Sequence, residues 1–187
     1  MSEPALPPPA DAFGNYRALV ARVDAHWDKT AAAVPLACAR GCTACCYVDL
    51  SVSRVEADAL LAAGPFELPQ RARRGERDAH PLFEQLAGPQ PCVLLNERGD
   101  CAVYAARPLI CRSHGIPVQA EGKVDACPLN AEAYSAPPLN LQLLNTLLTA
   151  INAKYCQDTG QAPERVRLRD LKEQLRAQVR STQEPQR

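Results

Sequence analysis

Nine of the 187 residues are cysteine, and eight of the nine lie between residues 38 and 127. The first four read Cys38-x3-Cys42-x2-Cys45-Cys46. A two-residue gap lets two thiolates reach one metal ion from a tight turn, because the chain folds back and presents both sulfurs on one side. Gly41 eases such a turn, since it tolerates positive φ. Cys45 and Cys46 are adjacent, and neighbouring side chains diverge by about 100 degrees on a helix or point to opposite faces of a strand. The pair is more easily shared between two metal atoms, or two irons of one cluster, than given to a single zinc ion. A redox dithiol is the competing use of such a pair, and the strain of a vicinal disulfide weighs against it.

The second four are Cys92, Cys101, Cys111 and Cys127. Pro108 precedes Cys111 closely and Pro128 follows Cys127; a proline beside a ligand stiffens the loop and removes one backbone donor. Four plus four thiolates suggest two four-ligand centres, or one polynuclear centre with extra structural ligation. Either way the expected metal ligands are Cys38, Cys42, Cys45, Cys46, Cys92, Cys101, Cys111 and Cys127, holding zinc or an iron–sulfur cluster in one or two centres. Four thiolates around zinc leave a local charge near −2, and Arg40, Arg107 and Arg112 flank the ligands and could offset it. His114, three residues after Cys111, is a replacement ligand, a hydrogen-bond donor to a ligating thiolate, or a loop residue at the surface, with the surface favoured. Cys156 stands about thirty residues beyond Cys127, with no paired cysteine or histidine near it, and is expected to be a small buried hydrophobe rather than a ligand.

Several short motifs recur in order: Cys42-Thr43-Ala44-Cys45-Cys46, Cys92-Val93-Leu94-Leu95, Gly99-Asp100-Cys101-Ala102-Val103-Tyr104, and Arg107-Pro108-Leu109-Ile110-Cys111-Arg112. Together they resemble the zinc- or iron-chelating cysteine-cluster family of the CxxCxxCC, or YkgJ, type, over roughly residues 38 to 127. The first gap here holds three residues where the family pattern has two. The resemblance implies metal or iron–sulfur binding. In that family the same cluster accompanies a lysine methylase of flagellin, so the resemblance implies a site and names no single reaction.

The ligands need elements to position them. Phe13, Tyr16, Val20, Val23, Trp27 and Val34 recur at helical spacings, with Asp11 as N-cap and Pro35 as the stop. Ser53-Arg54-Val55-Glu56 has the form of a capping box and predicts a helix to Ala63, stopped by Gly64-Pro65. Residues 65 to 91 carry five prolines and the basic run 71–77, and predict an exposed connector with a short helix near Pro81 to Ala87. Cys92–Asn96 and Cys101–Tyr104 flank Glu97-Arg98-Gly99-Asp100 and predict a hairpin. Leu144, Leu147, Leu148, Ile151 and Tyr155 share a helix face ended by Gly160, and a last helix is expected from Pro163 through Val179.

The expected fold is mostly α with a small β-hairpin: an irregular, metal-organised cysteine-cluster region packed on flanking helices. A Pro-rich tail over 1–10, one domain over 11–180 with C-terminal helices at 138–180, and a tail over 181–187 make up the expected organisation. Lys+Arg and Asp+Glu both number 21, which argues against a surface built for nucleic acid, and no aromatic residues interleave the arginine run to stack on bases. No run of apolar residues suits a membrane span. Met1-Ser2-Glu3-Pro4 does not read as a signal peptide, so a cytoplasmic location is expected, and there clustered cysteines serve metals rather than disulfides. Two functions follow: an iron–sulfur protein serving a redox or electron-transfer step, or a zinc-structured module binding a protein partner through its C-terminal helices. Neither identifies a catalytic residue.

Overall fold

A computed structural model describes residues 11–66, 68 and 91–183, with side chains up to Arg176 in the last helix. The Pro-rich start, the arginine run and the short helix expected near Pro81 lie outside the described residues. The chain is mostly helical with small β elements. Helix α1 spans Ala12–Ala33. It starts where Asp11 accepts a hydrogen bond from Gly14 N and ends at Val34, whose extended backbone is the conformation proline imposes on the residue before it. The face it buries runs Ala12, Tyr16, Leu19, Val23. Helix α2, Arg54–Ala63, begins at the expected capping box and stops at Gly64, before Pro65.

Helix α3 is a single turn, Leu109–Ser113, opening directly after Pro108. Helix α4, Leu141–Thr159, is capped by Asn140 Oδ1, which accepts from Leu143 N at 2.8 Å. It ends at Gly160, whose φ of 68° is a left-handed cap. Helix α5, Leu168–Gln183, starts five residues later than the proline at position 163 suggests. Val166–Arg167 is instead a short strand (β5) paired antiparallel with Ser51–Val52 (β1), and Leu168 N donates to Leu50 O. Ladder bonds hold that backbone extended, so the helix opens only after them.

The hairpin also differs in place. At Glu97–Asp100 the chain does turn back, but pairing shrinks to one bridge, Leu95 with Cys101. The chain then leaves the pairing direction in a 3₁₀ turn at Tyr104–Ala106. The regular hairpin joins Val118–Ala120 (β2) to Lys123–Asp125 (β3). Its turn residues Glu121 and Gly122 both have positive φ, the geometry of a two-residue hairpin turn. A parallel strand, Leu139–Asn140 (β4), completes that sheet beside β2.

Two apolar clusters hold these elements. In one, Val52, Ala57 and Leu60 meet Leu168, Leu171 and Leu175, with Leu94 and Val103 between them. In the other, Tyr16, Leu19 and Val23 of α1 meet Val55, Leu109 and Leu144. The cysteine loops are therefore pinned at Leu94, Val103 and Leu109, each about 1% exposed. Among the described residues no helix is long and apolar enough to cross a membrane.

Candidate metal centre

Two successive turns carry the first four cysteines. Cys42 N donates to Ala39 O at 3.0 Å, with Gly41 at φ 97°, and Cys46 N donates to Thr43 O at 2.9 Å. The second turn docks the next segment, because Cys92 N donates to Cys46 O at 2.8 Å. Asn96 then shapes the loop: its Oδ1 accepts from Arg98 N and Asp100 N at 3.0 and 2.9 Å. That returns the chain to Cys101, opposite Leu95.

From Cys101 to Cys111 the backbone is held by two arginines and one glutamate. The Arg107 guanidinium lies 3.7 Å over the Tyr104 ring and its Nε donates to Tyr104 O at 3.0 Å. Arg112 donates Nε to Arg107 O at 2.7 Å, and one terminal nitrogen to both Asp24 oxygens at 2.9 Å; the other bonds Ala105 O. Arg112 therefore ties the loop to α1. Glu56, 3% exposed, accepts from Ser53 N and Oγ at 2.9 and 2.8 Å with one oxygen, and from Leu109 N at 3.0 Å with the other. The α2 cap thus also anchors the start of α3, the turn that carries Cys111.

The thiols fall into two groups that do not follow the order of the sequence. Cys46 is pushed up to about 12 by burial and by the nearby charges of Cys45, Cys92 and Cys101. Cys111 is likewise pushed up to about 12, by burial and then by Cys92, Cys101 and Cys45, with Arg107 opposing. Burial raises Cys101 too, and its neighbours are again Cys92, Cys45 and Arg107. Five thiols therefore share one neighbourhood. The other group is Cys38, Cys42 and Cys127: burial pushes Cys38 up to about 11, and Cys127 and Cys42 raise it further against a hydrogen bond from Asn130.

These sulfurs feel one another's charge without touching a common point. Among the described residues no three His, Cys, Asp or Glu side chains converge closely enough to hold a metal ion as they stand. The donor set nevertheless suits one. Desolvated, mutually repelling thiols are poor places for bare charge, and a thiophilic cation removes that penalty by replacing the protons.

Of the three flanking arginines, Arg107 faces the five thiols, Arg112 is engaged by Asp24, and Arg40 is exposed. His114 is exposed. Cys156, 3% exposed, lies in α4 against Asn152 and Ala162, and its electrostatic neighbours are Arg54 and Asp58. Sequence reasoning missed Asn130 and Gly115. Asn130 stands three residues after Cys127, and Gly115 directly follows His114; neither belongs to a pattern that marks it.

No curated protein and no solved structure matches the chain. A family model does, over residues 37–130, a span that takes in all eight clustered cysteines. With half of its length matched, the chain belongs to the CxxCxxCC family, described as "Putative zinc- or iron-chelating domain".

Proposed function

We propose that the five-thiol group holds an iron–sulfur cluster and that the protein serves a redox or electron-transfer step. The observation that carries this reading is the adjacent pair: Cys45 and Cys46 share one neighbourhood with Cys92, Cys101 and Cys111, and adjacent thiolates divide more easily between two irons of one cluster than they meet on one zinc ion. A bound cluster would supply one-electron chemistry. The chain supplies the rest. Arg107, fixed over Tyr104, offsets thiolate charge beside Cys101 and Cys111. The packing of Leu94, Val103 and Leu109 keeps the ligand loops fixed from below. Cys45 is exposed, and Tyr47, Val48 and Ile110 beside the ligands are 48%, 56% and 43% exposed. An apolar rim around a site near the surface suits brief docking of an electron-transfer partner.

The zinc module is the second reading, and one observation favours it. A groove of about 640 Å³ runs between the β2–β3 turn and α4, lined by Ala120, Leu141, Asn145, Thr149 and Ala153 among others. It would give a protein partner a place to bind. The apolar face of α5 is not available for that purpose, since Leu168, Leu171 and Leu175 are spent in the core.

Anaerobic purification from iron-replete cells separates the two. A brown protein with visible absorbance, iron and acid-labile sulfide supports the first reading. A colourless protein with stoichiometric zinc overturns it.

A further inference from the structure

We propose that the open edge of the small sheet, strand β3, pairs antiparallel with the same strand of a second copy of this chain, centred on Val124. In the order β3–β2–β4, strand β3 (Lys123–Asp125) has a neighbour on one side only among the described residues, and all three of its residues are exposed. An uncovered edge is a template for a further strand. This surface does not depend on what the cysteines bind.

The register decides which backbone groups are free. The turn Glu121-Gly122 has φ values of 50° and 78°, and Ala120 stands directly opposite Lys123. Residues flanking such a two-residue turn form a hydrogen-bonded pair, and bonded and non-bonded pairs alternate from there. Gln119 with Val124 is therefore a non-bonded pair. The N–H and C=O of Val124 point away from β2, toward the open edge. By the same alternation the next donor on that edge is Ala126 N, and it is already used: it donates to Asp125 Oδ1 at 2.9 Å and to Tyr134 Oη at 3.2 Å. Tyr134 Oη in turn donates to Asp125 Oδ1 at 3.2 Å. Side chains close the edge at Ala126 and leave it open at Val124, which fixes where a strand can add.

The charges select the occupant. Lysine on an edge strand ordinarily blocks self-pairing. Here Asp125 stands two residues on, on the same face of the strand. An antiparallel two-fold about Val124 sets Lys123 opposite Asp125 of the second copy, and Asp125 opposite its Lys123. Both are non-hydrogen-bonded positions, where opposed side chains come closest. A parallel pair in register would set lysine on lysine and aspartate on aspartate. Val124, 41% exposed, meets its own copy, and the two valines exchange both N–H···O bonds. Tyr134, held at this edge through Asp125 and 51% exposed, adds apolar surface. A contact of this size belongs with the small interfaces, so the pair is transient.

The test follows self-association of the full chain from about 20 μM to about 1 mM by sedimentation velocity, with hydrogen exchange at the Val124 amide read alongside. A dimer with a Kd of about 0.1–1 mM is expected, and exchange at that amide should slow as concentration rises. Val124→Pro removes the edge-facing N–H without taking a bond from β2, and should abolish the dimer. Lys123→Glu sets like charges opposite each other twice and should weaken it about 10-fold or more at low salt. Asp125→Asn keeps Oδ1 as an acceptor, drops the charge, and should weaken it about 3-fold. Should Val124→Pro fail to fold by circular dichroism, Lys123→Glu serves, since that side chain is exposed. A wild type that stays monomeric at about 1 mM overturns the pairing, and capture of an extended peptide at β3 in its place overturns the second copy as occupant. A dimer undiminished by Lys123→Glu places the contact on another surface and overturns the proposal too.

Discussion

Glu56 is the residue whose removal should cost most for its size. Its carboxylate accepts three hydrogen bonds, from Ser53 N, Ser53 Oγ and Leu109 N, at a site 3% exposed. Glu56→Ala removes the capping box, worth about 1 kcal/mol. It also leaves the buried Leu109 N–H without an acceptor, which costs about 1–3 kcal/mol. Release of a buried carboxylate recovers part of this. A net loss of about 2–4 kcal/mol remains, or about 5–15 °C in Tm for a chain of this size. Glu56→Gln keeps one acceptor oxygen but turns an amide donor toward another donor, so it should lose roughly half as much. Thermal and urea unfolding of the metal-free protein measures both. The metal-loaded protein adds a second readout, because Leu109 begins the turn that carries Cys111, and the centre built on Cys111 should weaken in parallel. If Glu56→Ala unfolds within 1–2 °C of the wild type, about the shift expected below 1 kcal/mol, the role given to this carboxylate is wrong.

Metal removal should expose the amides of residues 36–49 and 127–138 to hydrogen exchange while α1, α2 and α4 stay protected, since those helices share the apolar clusters and these loop residues do not; equal protection with and without metal would refute this. The metal-free protein should lose stability as pH rises from about 9 toward 12: Cys38, Cys46 and Cys111 have folded-state values above their ordinary 9.0, so their contribution is complete below 9 and fades as the folded thiols ionise. Metal affinity should run the opposite way and fall as pH drops, because each ligand must release a proton; titrations across pH 6–9 check both the sign and the slope. Cys156→Ala should leave metal content unchanged and cost on the order of 1 kcal/mol, and a missing equivalent of metal in that variant would bring α4 into the centre. Gly115→Ala should destabilise the fold, whereas a wild-type Tm would contradict the close approach to Cys38.

What the sequence determined by itself was local. Asp11, the Ser53–Glu56 box, Gly64 and Gly160 mark helix ends through bonds and φ values that span four residues or fewer, and each stands where its type requires. The family and the eight candidate ligands were legible for the same reason, since turn spacings and short motifs are contiguous. Only the tertiary structure decided which of those thiols become neighbours. Read along the chain, they make four and four. In space Cys127 returns to Cys38 and Cys42, while Cys45 and Cys46 join Cys92, Cys101 and Cys111. Nothing local encodes that exchange. It follows from the backbone hydrogen bond that Cys92 N donates to Cys46 O, from Glu56 reaching Leu109 across the fold, and from Asn130 gathering Ala37, Gly115 and Cys38. The start of α5 has the same origin: a proline and a run of leucines permit a helix from position 163, but pairing with β1 claims Val166 and Arg167 first. Partners tens of residues away set these outcomes, because a hydrogen bond or a contact depends on distance in space, and spacing along the chain does not fix that distance.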